Sequence, residues 1–128
     1  MIDYTVTTTK TVDEAVNALA ESLKKRKFGV LWDLNMTETL RNKGVEFEHP
    51  YRILEVCNPQ EAKRVLGETL MVGYFLPCKI VVYEKDGMTH IGMPKPTEIM
   101  KMIGNERIAE TAAKVEAELV AAIQEAKS

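Results

Sequence analysis

The sequence predicts an α+β fold, a mostly antiparallel sheet with long helices packed on one face. Three observations lead there. Strand-like and helix-like segments alternate along the 128 residues, with capping and turn residues between them. A hairpin signal at Asp86-Gly87 falls late in the order, which argues against an all-parallel sheet. From Asn105 onward, Ile108, Ala112, Val115, Leu119 and Ile123 recur at helical spacing to the end of the chain.

Tyr4-Thr5-Val6-Thr7-Thr8-Thr9 is rich in β-branched residues and polar enough for an edge strand. Thr11-Val12-Asp13-Glu14 is a capping box, because the Thr11 hydroxyl can accept from the Glu14 amide while the Glu14 carboxylate reaches back. Val12, Ala15, Val16, Leu19 and Leu23 follow at helical spacing, and the run Lys24 to Lys27 suits the negative end of that helix. That run reads as a solvated helix terminus. Phe28 to Leu34 is a second strand, and Thr37 is placed to cap a short helix through Leu40 that Gly44 ends.

Tyr51 to Cys57 is a third strand. Asn58-Pro59 then starts a helix with an Asn cap and Pro at the first helical position, and Gly67 is positioned to stop it. Cys78 to Glu84 is the clearest strand and joins Met88 to Met93 through Lys85-Asp86-Gly87. Thr97 is placed to cap a short helix ahead of Gly104. The expected order is β-α-β-α-β-α-β-β-α, with the last helix bent or broken near Gly104. The free face of such a sheet is partly apolar and invites a second copy of the chain.

Length and composition predict a single domain over residues 1–128, large enough to bury about two-thirds of its unfolded surface. Nineteen acidic against seventeen basic residues leave no electrostatic footprint for nucleic acid. No basic run reads as a membrane-surface patch, and no apolar stretch approaches a membrane span. Met1-Ile2-Asp3-Tyr4 lacks the basic and apolar regions of a secretory signal, so the expectation is a cytoplasmic protein with reduced thiols.

Ile53-Leu54-Glu55-Val56-Cys57-Asn58-Pro59, then Ala62, then Leu76-Pro77-Cys78-Lys79-Ile80-Val81-Val82-Tyr83-Glu84, resembles the family catalogued as domain of unknown function three hundred and two. The resemblance is to the branch carrying a Cys-Asn-Pro and a Leu-Pro-Cys element. It implies a small α+β fold and a homodimer, and it brings no chemistry with it. The branch often has Asn after Leu-Pro-Cys, where this chain has Lys79.

The cysteines are the strongest candidates for chemistry. Cys57 ends a strand just before a helix cap, where the coming helix favours a thiolate. Cys78 opens the next strong strand, so antiparallel pairing of the two strands brings both thiols to one sheet edge. Cys57 and Cys78 are thus candidate redox thiols, or ligands for a soft metal, with no other cofactor expected. A disulfide between them would close a loop of about 20 residues and stabilise by roughly 3 kcal/mol. The plainer reading is that both are small buried hydrophobes, as free Cys usually is.

Other constellations are weaker. A zinc site of Cys57, Cys78 and His90 fails on register, since pairing about the turn sets His90 near Val82, roughly 13 Å along the strand from Cys78. Glu46, Glu48 and His49 form a ligand-rich loop just before Pro50, read as solvated. Met88, Met93, Met100 and Met102 are soft ligands in sequence, yet Met most often fills core gaps. Asp33 and Glu55 lie on strands, where a carboxylate facing inward would be a catalytic candidate and one facing outward would not. Trp32, Tyr51, Tyr74, Phe75 and Tyr83 offer material for an apolar pocket. Three functions follow as alternatives: a thiol-dependent redox or soft-metal module, a non-catalytic small-ligand-binding domain, and a structural dimer.

Overall fold

The computed structural model describes residues 1–128. Its strands are β1 (Asp3–Thr8), β2 (Gly29–Asn35), β3 (Tyr51–Cys57), β4 (Cys78–Lys85) and β5 (Met88–Pro94). Its helices are α1 (Val12–Lys25), α2 (Met36–Asn42), α3 (Pro59–Glu68), α4 (Pro96–Met100) and α5 (Glu106–Lys127), with a 3₁₀ segment at Leu70–Phe75. The five strands form one sheet in the order β1-β5-β4-β3-β2, and every neighbouring pair is antiparallel. The expected α+β architecture is the one observed, with polar β1 at an edge.

Alternation of side chains along each strand builds the core. Leu54 and Val56 of β3, Ile80 and Val82 of β4, and Ile91 and Met93 of β5 point to one face, where α1 and α5 cover them. From α1 come Val12, Ala15, Val16, Leu19 and Leu23, and from α5 come Val115, Leu119, Ala122, Ile123 and Ala126. Where the two helices cross, the Ser22 hydroxyl donates to the carbonyl of Ala122 at 2.9 Å, which satisfies a hydroxyl that burial would otherwise penalise. The opposite face carries a row of rings. Tyr83 stacks on His90 with centroids 4.9 Å apart and on Tyr51 at 5.3 Å, and Phe47 closes the row against Tyr51 at 5.9 Å.

Capping residues set most element boundaries. The Thr11–Glu14 capping box is fully formed, and Asn58 and Asn105 cap α3 and α5 through their side-chain oxygens. Asp86 and Gly87 both have positive φ, the two-residue turn that matches the twist of a hairpin. Gly104, also at positive φ, separates α4 from α5.

Several local expectations are corrected. Asn35, not Thr37, caps α2, because the Thr37 hydroxyl turns to donate to the carbonyl of His49. Thr97 lies inside α4 and spends its amide and hydroxyl on Glu116 at 3.0 and 2.6 Å. Gly67 does not stop α3, which continues to Glu68. The 3₁₀ segment had no sequence signal of helical length.

Candidate functional site

The core has a second, smaller cluster of Val65, Val72, Met100, Ile108 and Ala112, contributed by α3, the 3₁₀ segment, α4 and α5. A cavity of about 270 Å³ opens where this cluster meets the end of the sheet. Val56 and Cys57 from β3, Cys78 from β4, Ala62 and Val65 from α3, and Ala112 and Val115 from α5 all contribute to its wall. Thirteen of its eighteen lining residues are hydrophobic, so water gains little there and an apolar guest gains much.

A defect in the sheet shapes one side. Val30 pairs with Val56 and Trp32 with Glu55, so Leu31 is the extra residue of a β-bulge. Bulges re-aim side chains, and this one puts Leu31 in the cavity wall. On the other side, the chain enters β4 through a cis peptide bond between Leu76 and Pro77, both of which line the cavity.

Antiparallel pairing of β3 and β4 brings the two cysteines to the same end of the sheet. Val56 pairs with Cys78, so Cys57 stands one residue beyond the partner of Cys78. Both thiols are free and half-buried. Burial pushes the Cys57 thiol up, and burial together with the neighbouring Cys57 pushes Cys78 up to about 11. The expectation of a lowered Cys57 pKa is therefore corrected. The first free amides of α3, on Gln60 and Glu61, donate to Asn58 Oδ1, so they are spent on the cap and not on a thiolate. Desolvation then decides the sign.

Glu61 is the residue that sequence reading missed. It lines the cavity yet is only 7% exposed, an unusual burial for a carboxylate. Oε1 pairs with Arg64 at 3.1 Å, while Oε2 lies 3.5 Å from Lys114 Nζ and accepts no hydrogen bond. Its signal in the sequence was the spacing of Glu61 and Val65, one turn apart behind the Asn58 cap and so on the same inward side of α3.

The other sequence candidates do not join this site. His90 pairs with Tyr83, not Val82, because Lys85 and Met88 close the turn directly. It stacks on the open face, away from the cysteines. His49 is exposed and contacts the Glu84 carbonyl at 3.0 Å through Nδ1, and no group of three His, Cys, Asp or Glu side chains is arranged to hold a metal ion. Met93 and Met100 are buried in separate clusters, whereas Met102 is exposed. Asp33 is held by Arg52, which also reaches Asp13 at 2.8 Å, and Glu55 pairs with Lys79 at 3.0 Å. None of Trp32, Tyr51, Tyr74, Phe75 or Tyr83 lines the cavity, whose aromatic residue is Phe28.

Fold and cavity together define a small α+β domain with a thiol-bearing apolar pocket between the end of its sheet and helices α3 and α5. The chain belongs to the DUF302 family, a domain of unknown function, whose model matches residues 4–126. It is similar to the crystal structure of an uncharacterized conserved DUF302 protein from Bacillus stearothermophilus, with 51% identity over 98% of both chains and a TM-score of 0.94. Among curated proteins, none matches the chain. No helix is long and apolar enough to cross a membrane.

Proposed function

We propose that this domain binds a small, largely apolar molecule in the cavity between β3, α3 and α5. The observation that carries this reading is the pocket itself, about 270 Å³ with a mainly hydrophobic wall broken by two thiols and a buried carboxylate. Its volume falls just below the roughly 300–1,000 Å³ of pockets for drug-sized ligands, which suits a smaller guest. Ala62 is half-buried on α3 and lines the pocket, so a larger side chain there occupies the guest's space. An NMR titration with 1-octanol is the test. Amides of Ala62 and Ala112 should shift in the natural chain and stay still in Ala62→Phe. Octanol shifts that survive the plug, or none in either protein, would sink the reading.

A second reading makes Cys57 and Cys78 a redox or soft-metal pair within the same pocket. Their placement on adjacent antiparallel strands favours it. The raised pKa values oppose it, because the thiolate is the reactive form. For a metal, two sulfurs would need further ligands from another chain. Reduced thiols accord with a cytoplasmic setting, which belongs to this proposal.

Self-association completes the proposal. Edge strand β2 leaves Val30, Leu31 and Trp32 exposed in succession, with Leu31 at 63% and Trp32 at 54%. A homodimer that covers this strip would also shield the mouth of the pocket beside Leu31.

A further inference from the structure

We propose that the guest of this pocket is an amphipathic anion, an apolar chain ending in a carboxylate, with its head held in a basic cleft beside the pocket. This rests on the pocket reading above and adds the chemistry of the head group.

A second depression borders the apolar one and shares Asn58, Glu61 and Val115 with it. Its character is opposite. Lys25, Arg26, Lys27, Arg64 and Lys114 line it against only two carboxylates, in a chain whose net charge is −2. A concentration of cations against the sign of the whole molecule, placed at the rim of an apolar hole, is the arrangement an amphipathic anion needs.

The cations are not equally free. Lys25 and Arg26 are drawn to Glu125, each at 3.3 Å, and Arg26 also reaches Glu118 at 3.8 Å. Lys27 is exposed at the turn between α1 and β2, next to Phe28 in the pocket wall. Arg64 and Lys114 both lean on Glu61, so two positive charges share one negative charge and leave an excess of one. That gives the buried carboxylate a purpose. Glu61 is a positioning residue that gathers Arg64 from α3 and Lys114 from α5 over the junction of the two depressions. The first amides of α3 are taken by Asn58, so side chains and not the helix end must hold the head.

The experiment compares four probes with the full chain by calorimetry or NMR near neutral pH: octanoate, 1-octanol, octylammonium and acetate. Octanoate should bind roughly fivefold or more tightly than octanol, as a few partly exposed charge contacts allow, and octylammonium should bind least. Acetate, without the apolar chain, should not bind measurably. Raising the salt should erode the advantage of octanoate and leave octanol unchanged. Lys27→Gln and Lys114→Gln should each reduce octanoate affinity severalfold more than that of octanol, and variants that leave the ratio of the two unchanged overturn the basic cleft. Octanoate binding no tighter than octanol, with octanol still blocked by Ala62→Phe, overturns the anionic head and leaves the pocket reading standing. Octylammonium binding most tightly overturns it as well. If neither octanol nor octanoate binds, or if Ala62→Phe makes no difference, the pocket reading fails and this proposal falls with it.

Discussion

Cys57 lies one residue past the strand partner of Cys78, and the two thiols share a wall of the same cavity. Their order of reactivity follows from burial. Cys78 is pushed up to about 11 and has Cys57 as a neighbouring charge, whereas Cys57 is raised by burial alone. With iodoacetamide near neutral pH, Cys57 should react more slowly than a free thiol and Cys78 more slowly still. Equal, rapid labelling of both would refute this ordering.

The same shift makes stability depend on pH. Above the ordinary thiol pKa of about 9, an unfolded Cys78 releases its proton while the folded one keeps it, so stability falls as pH rises. The stabilisation is complete below that pKa and is lost between it and about 11. A shift of this size corresponds to roughly 2–3 kcal/mol at most. Denaturant unfolding of the natural chain and Cys78→Val across this range isolates the effect from lysine and tyrosine titration. Curves that stay parallel would show that Cys78 contributes nothing.

Leu119 of α5 is fully buried between α1 and the sheet. Leu119→Ala should cost about 2–5 kcal/mol in chemical denaturation, the range for emptying a large core position. A loss near half a kcal/mol would mean that α5 is a loosely docked element.

Asn58 caps α3 and also lines the pocket. Asn58→Ala should lower stability by about 1 kcal/mol and loosen the wall on which Glu61 and Ala62 sit. Octanol affinity should fall with it. Unchanged affinity would show that the wall does not depend on this cap.

Leu31→Lys combined with Trp32→Glu tests self-association. Sedimentation should find dimers of the natural chain at micromolar concentration and monomers of the variant, with the far-UV circular dichroism spectrum unchanged because both side chains are exposed in the single chain. A natural chain that is monomeric under these conditions removes the dimer.

Most of the architecture was legible because it rests on local chemistry. The Thr11–Glu14 box, the Asn58-Pro59 start and the Asp86-Gly87 turn each declare themselves within four residues, and the structure carries all three. Thr37 and Thr97 misled because tertiary partners, His49 and Glu116, claim their side chains. The placing of Cys57 and Cys78 at one end of the sheet was legible once antiparallel pairing was assumed. The basic cleft was not, because its cations come from the end of α1, from α3 and from α5, which only folding brings together. The run Lys24 to Lys27 read correctly as a helix terminus, and that terminus happens to border a pocket. Glu61 was missed because an acid in the first turn of a helix is ordinarily solvated, and only packing seals this one.

The bulge at Leu31 has a bearing on solubility. An edge strand of exposed apolar residues is a template on which further chains can add without limit. On β2 the regular spacing of backbone donors and acceptors breaks between Val30 and Trp32. An incoming strand that matched one half of β2 would fall out of step with the other. Side chains at this rim can therefore grip a partner while the backbone denies it a continuous seam, which allows a finite assembly and discourages a growing fibre.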